Sequence, residues 1–350
     1  MESDTLSDPL ANLITNYHEL NGSTVDELPA IPSALEFMRY VAKNRPFVVR
    51  GGAKNWPACR KWNATYLRKA MGDSTVKVAN TPLGNADAIV EQNEGSLLFV
   101  EPHETDELFE DFLGYVQEDS TFPEGRLKDR YVKYAQTQNG NLPTEYPSLL
   151  ADVPPDVPFA TEALQQPPDA QNFWLGNSRS TTALHKDNYE NIYVQIIGKK
   201  HFVLLPPVEV ACANEQPVTR ARYVPASGET GKLVIDVDEV AEAVPTPTWD
   251  PDEPNVRATA YSELSRPLRV TLEAGDMFYL PAMWYHKVSQ SNGPEGFAVA
   301  VNYWYDMSFD GGFWVGNGFL REVLEQGKKD VKYGELVTGG EEVVESGGER

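Results

Sequence analysis

Short apolar segments with strand character recur along most of this chain, and they restrict its fold more than any other feature. They are rich in Val, Ile, Phe and Tyr and are bounded by Gly, Pro or Asp, as strands usually are. The segments are RPFVVRGG (45–52), RYVKYAQ (130–136), ENIYVQIIG (190–198), KHFVLLPP (200–207), LRVTLEAGD (268–276), MFYLPA (277–282) and FAVAVNYWY (297–305). This density of short strands predicts a β-sandwich or β-barrel.

Composition limits what such a fold can do. With 350 residues, 41% of them hydrophobic, the chain can bury a proper core. Its 30 basic and 52 acidic residues give a net charge of −22, which disfavours binding to nucleic acid and favours binding to a basic partner. A content of only two cysteines is typical of proteins in a reducing compartment. The acidic N-terminus argues against an export signal, and the lack of a long apolar run argues against a membrane span. We therefore expect a cytoplasmic or nuclear protein.

Helical patterns are concentrated in the first third of the chain. Three helices are expected, in DPLANLITNYHEL (8–20), in IPSALEFMRYVAKNRP (31–46), where Ser33 and Glu36 form a capping box, and in DELFEDFLGYVQ (106–117). The expected apolar faces are Leu35, Met38 and Val41 in the second helix and Leu108, Phe109, Phe112 and Val116 in the third. These helices should pack on the β-core.

The chain divides into three parts on this reading. Residues 1–125 form a helical and strand region that packs on the core, residues 126–310 form the core, and residues 311–350 form a short C-terminal helix and an acidic tail. A segment rich in Pro, Glu and Asp at about 207–266 is too long for a turn and predicts an elaborated insertion. The tail from Gly327 is expected to be loose, at least beyond Val337.

His185 and Asp187 stand one residue apart at the head of a segment that reads as a buried strand. Side chains at i and i+2 of an extended backbone share a face, about 6 to 7 Å apart. Both groups can therefore reach one point. Alone, the pair is weak evidence, because a loop histidine with an acidic partner gives the same pattern.

His286 is one of only five histidines and lies in GDMFYLPAMWYHKV, after a Gly-Asp turn and a proline break. If it converges with His185 and Asp187, two imidazoles and one carboxylate bind one metal on a single face. Non-haem Fe(II) oxygenases use this arrangement, which leaves coordination positions open. The alternative is a hydrogen-bonded core histidine.

The motifs together resemble a known family. TALHKDNYENIYVQIIGKKHFVLLPP, followed by GDMFYLPAMWYHKV and AVAVNYWYD, is similar to the jumonji-C oxygenases of the cupin superfamily. The similarity also covers RPFVVRGGAKNWPACRKW, YAQTQNGNL and NFWLGNSRS, so it spans roughly residues 30–310. It implies a mainly β fold with flanking helices around a double-stranded β-helix, a jelly roll whose mouth holds the metal.

The resemblance also implies a cosubstrate site. In the family, Fe(II) is held by residues at the positions of His185, Asp187 and His286, and 2-oxoglutarate by a cation at the position of Lys200. Hydroxyl groups match at Thr182 and Tyr134, and polar side chains match at Asn191 and Asn302. A lysine that shares a strand face with Phe202 and Leu204 is expected to have a partner.

The implied reaction consumes O2 and 2-oxoglutarate, releases succinate and CO2, and hydroxylates a substrate carbon. The lysyl hydroxylases of the family are the most similar branch. A lysine demethylase of the same superfamily, a metal-dependent peptidase and a cupin that binds without catalysis remain alternatives, although a His-Glu-x-x-His peptidase motif is missing from the sequence.

Partners are inferred from charge and from the family. The resemblance suggests a protein substrate with a basic segment, such as a translation-linked GTP-binding protein, and no nucleic acid or membrane partner. Acids such as Glu190 could receive a basic substrate, although a solvated surface is the simpler explanation. An apolar stripe at Phe319, Leu320, Val323 and Leu324 indicates a possible homodimer, or packing on the chain's own barrel.

Overall fold

The computed structural model describes residues 8–121, 130–227 and 232–338. Its α-helices are α1 (Pro9–Leu20), α2 (Ala34–Lys43), α3 (Pro57–Lys61), α4 (Ala64–Met71), α5 (Phe109–Ser120), α6 (Asn141–Glu145), α7 (Pro158–Leu164) and α8 (Gly312–Thr338). Short 3-10 helices span Pro147–Asp152, Pro207–Ala211 and Ser262–Leu264.

The β-strands outnumber the helices in the described part of the chain. They are β1 (Asp26–Leu28), β2 (Phe47–Val49), β3 (Thr75–Thr81), β4 (Asn85–Ala86), β5 (Ala88–Glu91), β6 (Leu97–Glu101), β7 (His103–Leu108), β8 (Val132–Tyr134), β9 (Ala170–Gly176), β10 (Thr181–His185), β11 (Tyr189–Ile197), β12 (Lys199–Leu205), β13 (Glu215–Pro225), β14 (Leu233–Val237), β15 (Val244–Pro247), β16 (Leu268–Leu272), β17 (Met277–Leu280), β18 (Tyr285–Ser291) and β19 (Ala298–Asp306).

Two of the sheets form the core of the fold. One has six strands in the order β1-β2-β17-β11-β19-β9, and the other has five in the order β16-β12-β18-β10-β4. A buried apolar cluster joins them, with Tyr193, Phe278 and Ala300 from the first sheet and Phe202 and Leu272 from the second. The jelly-roll core expected from the sequence is thereby confirmed.

Strand β11 explains why the sequence there is almost continuously apolar. Ile192, Val194 and Ile196 point to the cluster beneath the helices, while Tyr193 points into the cluster between the two sheets. A strand that is covered on both faces loses the alternation of polar and apolar residues. The strand is central in its sheet, so it holds the residues around it firmly in place.

Helices cover the outer face of the six-stranded sheet. Ser33 caps α2 and accepts a hydrogen bond from the Glu36 amide, as the capping box predicts. The predicted apolar face of α2 is wrong for Leu35, which is 67% exposed, and Met38, which is 36% exposed, whereas Val41 packs against the core. The helix instead buries Phe37, whose ring packs edge-on against Phe47 and Tyr279. Phe37 is fully buried, so it is the side of α2 that carries Phe37 that faces the sheet.

The third predicted helix begins later than expected. Residues up to Leu108 belong to β7, and α5 starts at Phe109, whose side chain is buried with Phe112 and Val116. Leu108 itself is 44% exposed because it is the residue that precedes the helix. Strands β3, β7 and β8 form a small sheet of their own, which the sequence did not predict.

The predicted insertion at about 207–266 contains real secondary structure. Its strand β13 pairs with β14 and β15 and, in parallel, with β6 from the N-terminal third of the chain. Leu204 of β12 is paired with Leu268 of β16, so the chain leaves and re-enters the five-stranded sheet at neighbouring points. The insertion is thus a side layer attached to the barrel.

The described chain separates into two compact units, Met1–Met307 and Ser308–Arg350. The second unit contains α8, so residues 327–338, which were expected to be loose, are helical, and the rest of the tail lies outside the described residues. Within α8, Phe319 is 67% exposed and Val323 40% exposed. Domain boundaries near residues 125 and 310 stay a prediction, as does dimerisation. Among the described helices, none combines the length and apolar character needed to cross a bilayer.

Candidate metal centre and cosubstrate cavity

Two adjacent strands carry the predicted metal ligands. β10 and β18 are antiparallel neighbours, and His185 lies directly opposite His286 in their register. An irregularity between Thr182 and His185 shifts the pairing at the end of β10. Asp187 follows that end, and its carbonyl oxygen accepts a hydrogen bond from the Met283 amide at 2.8 Å, which ties the turn after β10 to the turn before β18.

The three side chains converge on one point. Oδ2 of Asp187 lies 3.9 Å from Nε2 of His185 and 3.6 Å from Nε2 of His286, and the two imidazole centroids are 4.0 Å apart. One potential ligand atom from each residue lies within 4.8 Å of the other two. His286 is buried, whereas His185 and Asp187 are partly open to the cavity. The group thus has a closed side and an accessible side.

Both imidazoles are oriented by backbone carbonyls. Nδ1 of His185 lies 2.8 Å from the Ala183 oxygen, and Nδ1 of His286 lies 3.0 Å from the Trp284 oxygen. A carbonyl oxygen only accepts, so Nδ1 carries the proton and Nε2 keeps a lone pair that faces Asp187. Burial lowers the pKa of His286 to about 4, helped by nearby His185, so its imidazole is neutral at physiological pH. A neutral imidazole is what a metal requires.

The insertion supports this end of the cavity from outside. Glu215 of β13 accepts hydrogen bonds from Lys186, which lies between two of the predicted ligands, and from Tyr285, at 2.7 Å, which precedes His286. Lys287, on the other side of His286, donates to Asp250 at 2.6 Å. These contacts join β10 and β18 to each other through the insertion, and so they fix the separation of the two histidines.

A buried cation lies elsewhere in the same cavity. Lys200 is only 3% exposed, and its ammonium group donates to the Tyr134 hydroxyl at 2.8 Å. Burial lowers the pKa of Lys200 to about 7 and raises that of Tyr134 above its ordinary value. One neutral hydroxyl is a poor partner for a buried charge. The neighbouring Lys199 is exposed and pairs with Glu273, so the two lysines lie on opposite faces of β12.

Polar side chains lie between the His-Asp-His group at one end of the cavity and Lys200 at the other. Asn302 accepts from the Trp174 indole at 2.8 Å and donates to Asn191 at 3.0 Å. The Trp174 ring stacks on Tyr134. One cavity that opens to solvent brings together all eight residues singled out in the sequence: Tyr134, Thr182, His185, Asp187, Asn191, Lys200, His286 and Asn302.

The same cavity has walls that the sequence did not predict. Tyr193, Phe202 and Val288 supply apolar surface, and Asp87, Gln136 and Gln138 supply polar groups. Gln136 could have been found from its position two residues after Tyr134 in the predicted strand 130–136, although β8 itself ends at Tyr134. No local pattern marks Asp87, which enters the cavity from a turn far away in the sequence. Burial raises the pKa of Asp87 to about 6, and nearby His185 acts in the opposite direction.

Glu190 does not face a substrate. It is buried, and its carboxylate accepts from the Tyr279 hydroxyl at 2.6 Å and from the Ala282 amide at 3.2 Å. Its role is to hold the turn that precedes β18. Burial raises its pKa, which agrees with an interior position.

The donor set fits a divalent metal that accepts nitrogen and oxygen. Two imidazoles that present Nε2 and one carboxylate on one side leave further positions for a chelating ligand and for a gas molecule. The buried ammonium of Lys200 and the hydroxyls of Tyr134 and Thr182 fit a carboxylate that arrives with its own negative charge. A metal and a small dicarboxylic acid can thus occupy one cavity.

Comparison with known proteins agrees with this geometry. The profile of the cupin-like domain family matches residues 32–311. Over 281 residues the chain is 41% identical to the bifunctional peptidase and (3S)-lysyl hydroxylase JMJD7 of Homo sapiens, covering 80% of this chain and 83% of that protein. It is 36% identical over 312 residues to the lysine-specific demethylase JMJ32 of Arabidopsis thaliana, covering 86% and 87% of the two chains.

A third relative, JmjC domain-containing protein E of Dictyostelium discoideum, is 33% identical over 316 residues, covering 85% of this chain and 88% of that protein. Each alignment includes most of both chains, so the similarity is not confined to a short motif. The resemblance to 2-oxoglutarate-dependent oxygenases that was inferred from the sequence is confirmed. The chain belongs to the cupin-like family of jumonji-C proteins.

Proposed function

We propose that this protein is an Fe(II)- and 2-oxoglutarate-dependent hydroxylase that acts on a carbon of a lysine side chain in another protein. One observation carries the proposal: a His-Asp-His group and a buried lysine line the same cavity. The first suits a redox-active metal with open positions, and the second suits the far carboxylate of the cosubstrate.

His185, Asp187 and His286 would hold the iron. Fe(II), when bound with 2-oxoglutarate and O2, supplies the oxidising power that converts a C–H bond to C–OH, while 2-oxoglutarate becomes succinate and CO2. The carboxylate of Asp187 offsets part of the metal charge. The backbone bonds of the two imidazoles keep Nε2 aimed at the ion before it arrives, so little ordering is left to be done on binding.

Lys200, Tyr134 and Thr182 would bind the far carboxylate of 2-oxoglutarate, with Asn191 and Asn302 beside it. An ammonium group with a single neutral partner gains a charged acceptor when the cosubstrate enters. The apolar walls, among them Phe202 and Val288, keep water from the reacting centre.

The lysine substrate is supported by the relatives and by charge. The human relative is named a (3S)-lysyl hydroxylase, and a net charge of −22 attracts a basic segment in a salt-dependent manner. A translation-linked GTP-binding protein in the cytoplasm or nucleus is the partner we propose, and a homodimer the assembly. The Arabidopsis relative, named a lysine-specific demethylase, supports demethylation as the second candidate, and the human name also includes a peptidase.

Labelled oxygen tests the proposal directly. The protein with Fe(II) and 2-oxoglutarate is incubated with a cell lysate under ¹⁸O2, and peptides are mapped by mass spectrometry. We expect one ¹⁸O atom on a lysine side chain, with succinate formed and no formaldehyde. Formaldehyde from methylated peptides without a labelled lysine would establish the demethylase instead. New peptide ends that form without 2-oxoglutarate would establish the peptidase.

A further inference from the structure

Asp87 is a charged residue of the cavity wall that the proposed metal and cosubstrate sites leave without a role. It lies in the turn between β4 and β5 and lines both the metal-bearing cavity and an adjoining open groove. β4 runs parallel to β10, with Ala86 opposite Thr182. Asp87 is therefore one strand away from the strand that ends at His185.

The carboxylate of Asp87 lacks a cationic partner among residues 8–121, 130–227 and 232–338. Its hydrogen bond is a long one, 3.4 Å, from the side-chain amide of Gln136. The charged or titratable groups that act on it are His185, Glu101 and Glu104, of which the two glutamates repel it. Glu101 is itself paired with Arg220, but Asp87 has no ion pair with a Lys or Arg in the described part of the chain, and a partly buried carboxylate without one is unfavourable.

The lysines near the cavity already have partners. Lys186 donates to Glu215, Lys133 donates to Glu107, and Lys200 donates to Tyr134 deeper in the barrel. None of these lysines acts on Asp87. Apart from the proposed metal at His185, a cation for Asp87 can come from a molecule that enters the cavity.

The turn itself does not explain a carboxylate at this position. Asp87 has a φ of 52°, in the left-handed region that Gly, Asn and Asp adopt most readily. Asparagine would meet the same backbone requirement with no charge. The charge is then a cost to the empty protein, and a bound ammonium group would remove that cost.

Dimensions agree with a lysine side chain. Its four bonds from Cβ to Nζ span about 5 Å when extended, and neighbouring strands of a sheet are about 4.8 Å apart. A side chain with one carbon beside the metal group on β10 can thus place its ammonium group near β4. The groove beyond Asp87 is lined by the acids Glu101 and Glu104 and by the bases His103 and Arg222, and it gives the rest of a substrate segment a path to solvent.

We infer that Asp87 binds the ammonium group of the substrate lysine and so determines which side chain the cavity accepts. The inference rests on the proposed lysine hydroxylation and deepens it. A primary ammonium offers three hydrogen-bond donors and a trimethylated one offers none. Asp87 therefore favours unmodified lysine over the fully methylated form.

Binding of small probes tests the inference independently of turnover. The protein is loaded with Mn(II) and 2-oxoglutarate in the absence of oxygen. Binding of N-acetyl-lysine methylamide is compared with that of its norleucine counterpart, which lacks the ammonium group, by relaxation of the probe's NMR signals. Three proteins are compared: wild type, Asp87→Asn, and Asp111→Asn, which makes the same charge change on the exposed surface of α5.

The wild type and Asp111→Asn should bind the lysine probe about 10 to 100 times more tightly than the norleucine probe, which is the effect of a charge-assisted hydrogen bond. Asp87→Asn should lose that preference and bind the norleucine probe as the wild type does. A trimethyl-lysine probe should bind the wild type more weakly than the lysine probe. A preference that survives in Asp87→Asn, or that is missing in the wild type, overturns the inference.

The labelled-oxygen experiment separates this inference from the proposed function. If the wild type oxidises lysine and Asp87→Asn keeps the probe preference, the reaction stands and the role of Asp87 is wrong. If the wild type oxidises no lysine but the preference depends on Asp87, the ammonium site stands and the proposed reaction fails.

Discussion

The two ends of the cavity are built on opposite principles. At the metal end, carbonyl oxygens orient both imidazoles, and the insertion ties down the residues that flank them. At the cosubstrate end, one buried ammonium group has, among the described residues, a single hydroxyl as its hydrogen-bond partner. The metal end is ordered in advance, whereas the cosubstrate end contains an incompletely satisfied charge.

Because of this difference, affinity for the metal depends mainly on geometry and affinity for 2-oxoglutarate depends mainly on charge. A preordered ligand group loses little entropy when the ion binds, so its affinity depends on positions. A poorly solvated ammonium gains most from a new anionic partner, so its affinity depends on charge. Substitutions at the two ends should therefore have different effects, and they can be ranked.

The largest effect is expected from Asp187→Ala. It removes one ligand and its negative charge, so Fe(II) should bind poorly and succinate formation should fall by more than ~100-fold. Thermal unfolding should show a folded protein, because Asp187 is partly exposed and lies outside the core. Asp111→Ala, on the exposed face of α5, is the matched control. Near-normal turnover by a folded Asp187→Ala protein would mean that the metal assignment is wrong.

Lys200→Ala should weaken the binding of 2-oxoglutarate and leave the binding of the metal unchanged. Loss of a charge-assisted hydrogen bond costs about 2 to 3 kcal/mol, so the Kd of 2-oxoglutarate should rise by about 30- to 150-fold. Mn(II) affinity, followed by electron paramagnetic resonance, should change little. The control is Lys199→Ala, because that lysine is exposed and pairs with Glu273. A rise in Kd for Lys199→Ala alone would move the cosubstrate site to the other face of the strand.

Glu215→Gln tests whether the insertion fixes the metal end. The change keeps the shape of the side chain but weakens its bonds with Lys186 and Tyr285, so Mn(II) affinity should fall about 10-fold. Asp236→Asn, an exposed acid of the same insertion that pairs with Arg222, should leave it unchanged. Equal Mn(II) affinity in both variants would show that the strands of the barrel hold the ligands without this support.

The smallest effect is a pH dependence at the cosubstrate end. Burial holds the pKa of Lys200 at about 7 in the empty cavity, and a bound carboxylate should raise it. Binding then takes up a proton above pH 7, and the affinity for 2-oxoglutarate should fall by about fivefold from pH 7 to pH 8. Calorimetry in two buffers with different ionisation heats measures the uptake. Lys200→Arg should show none, since a guanidinium stays charged.

The sequence predicted the core of the site better than its surroundings. His185 and Lys200 lie on strands that were expected from the sequence, Asp187 lies just past the end of β10, and the structure brings all three to one cavity. The face of α2 was wrong because Leu35 and Met38 have the same helical spacing as a buried face, and only the position of the sheet selects Phe37.

Strands of mixed polarity were also missed. β7 reads HETDEL and is exposed or half-buried throughout, so no apolar alternation marks it. Asp87 could not be found for a different reason. Its importance depends on β4 lying beside β10, and that contact joins residues nearly a hundred positions apart in the chain.

The insertion has a consequence for how proteins of this kind can change over evolution. Because Leu204 and Leu268 are paired, the two points between which the extra chain runs are already held together by the barrel. Doubling the length of such a loop costs only about 0.6 kcal/mol in closure entropy. Chain can thus be gained or lost there at little thermodynamic cost, provided that acids equivalent to Glu215 and Asp250 still reach the strands that carry His185 and His286.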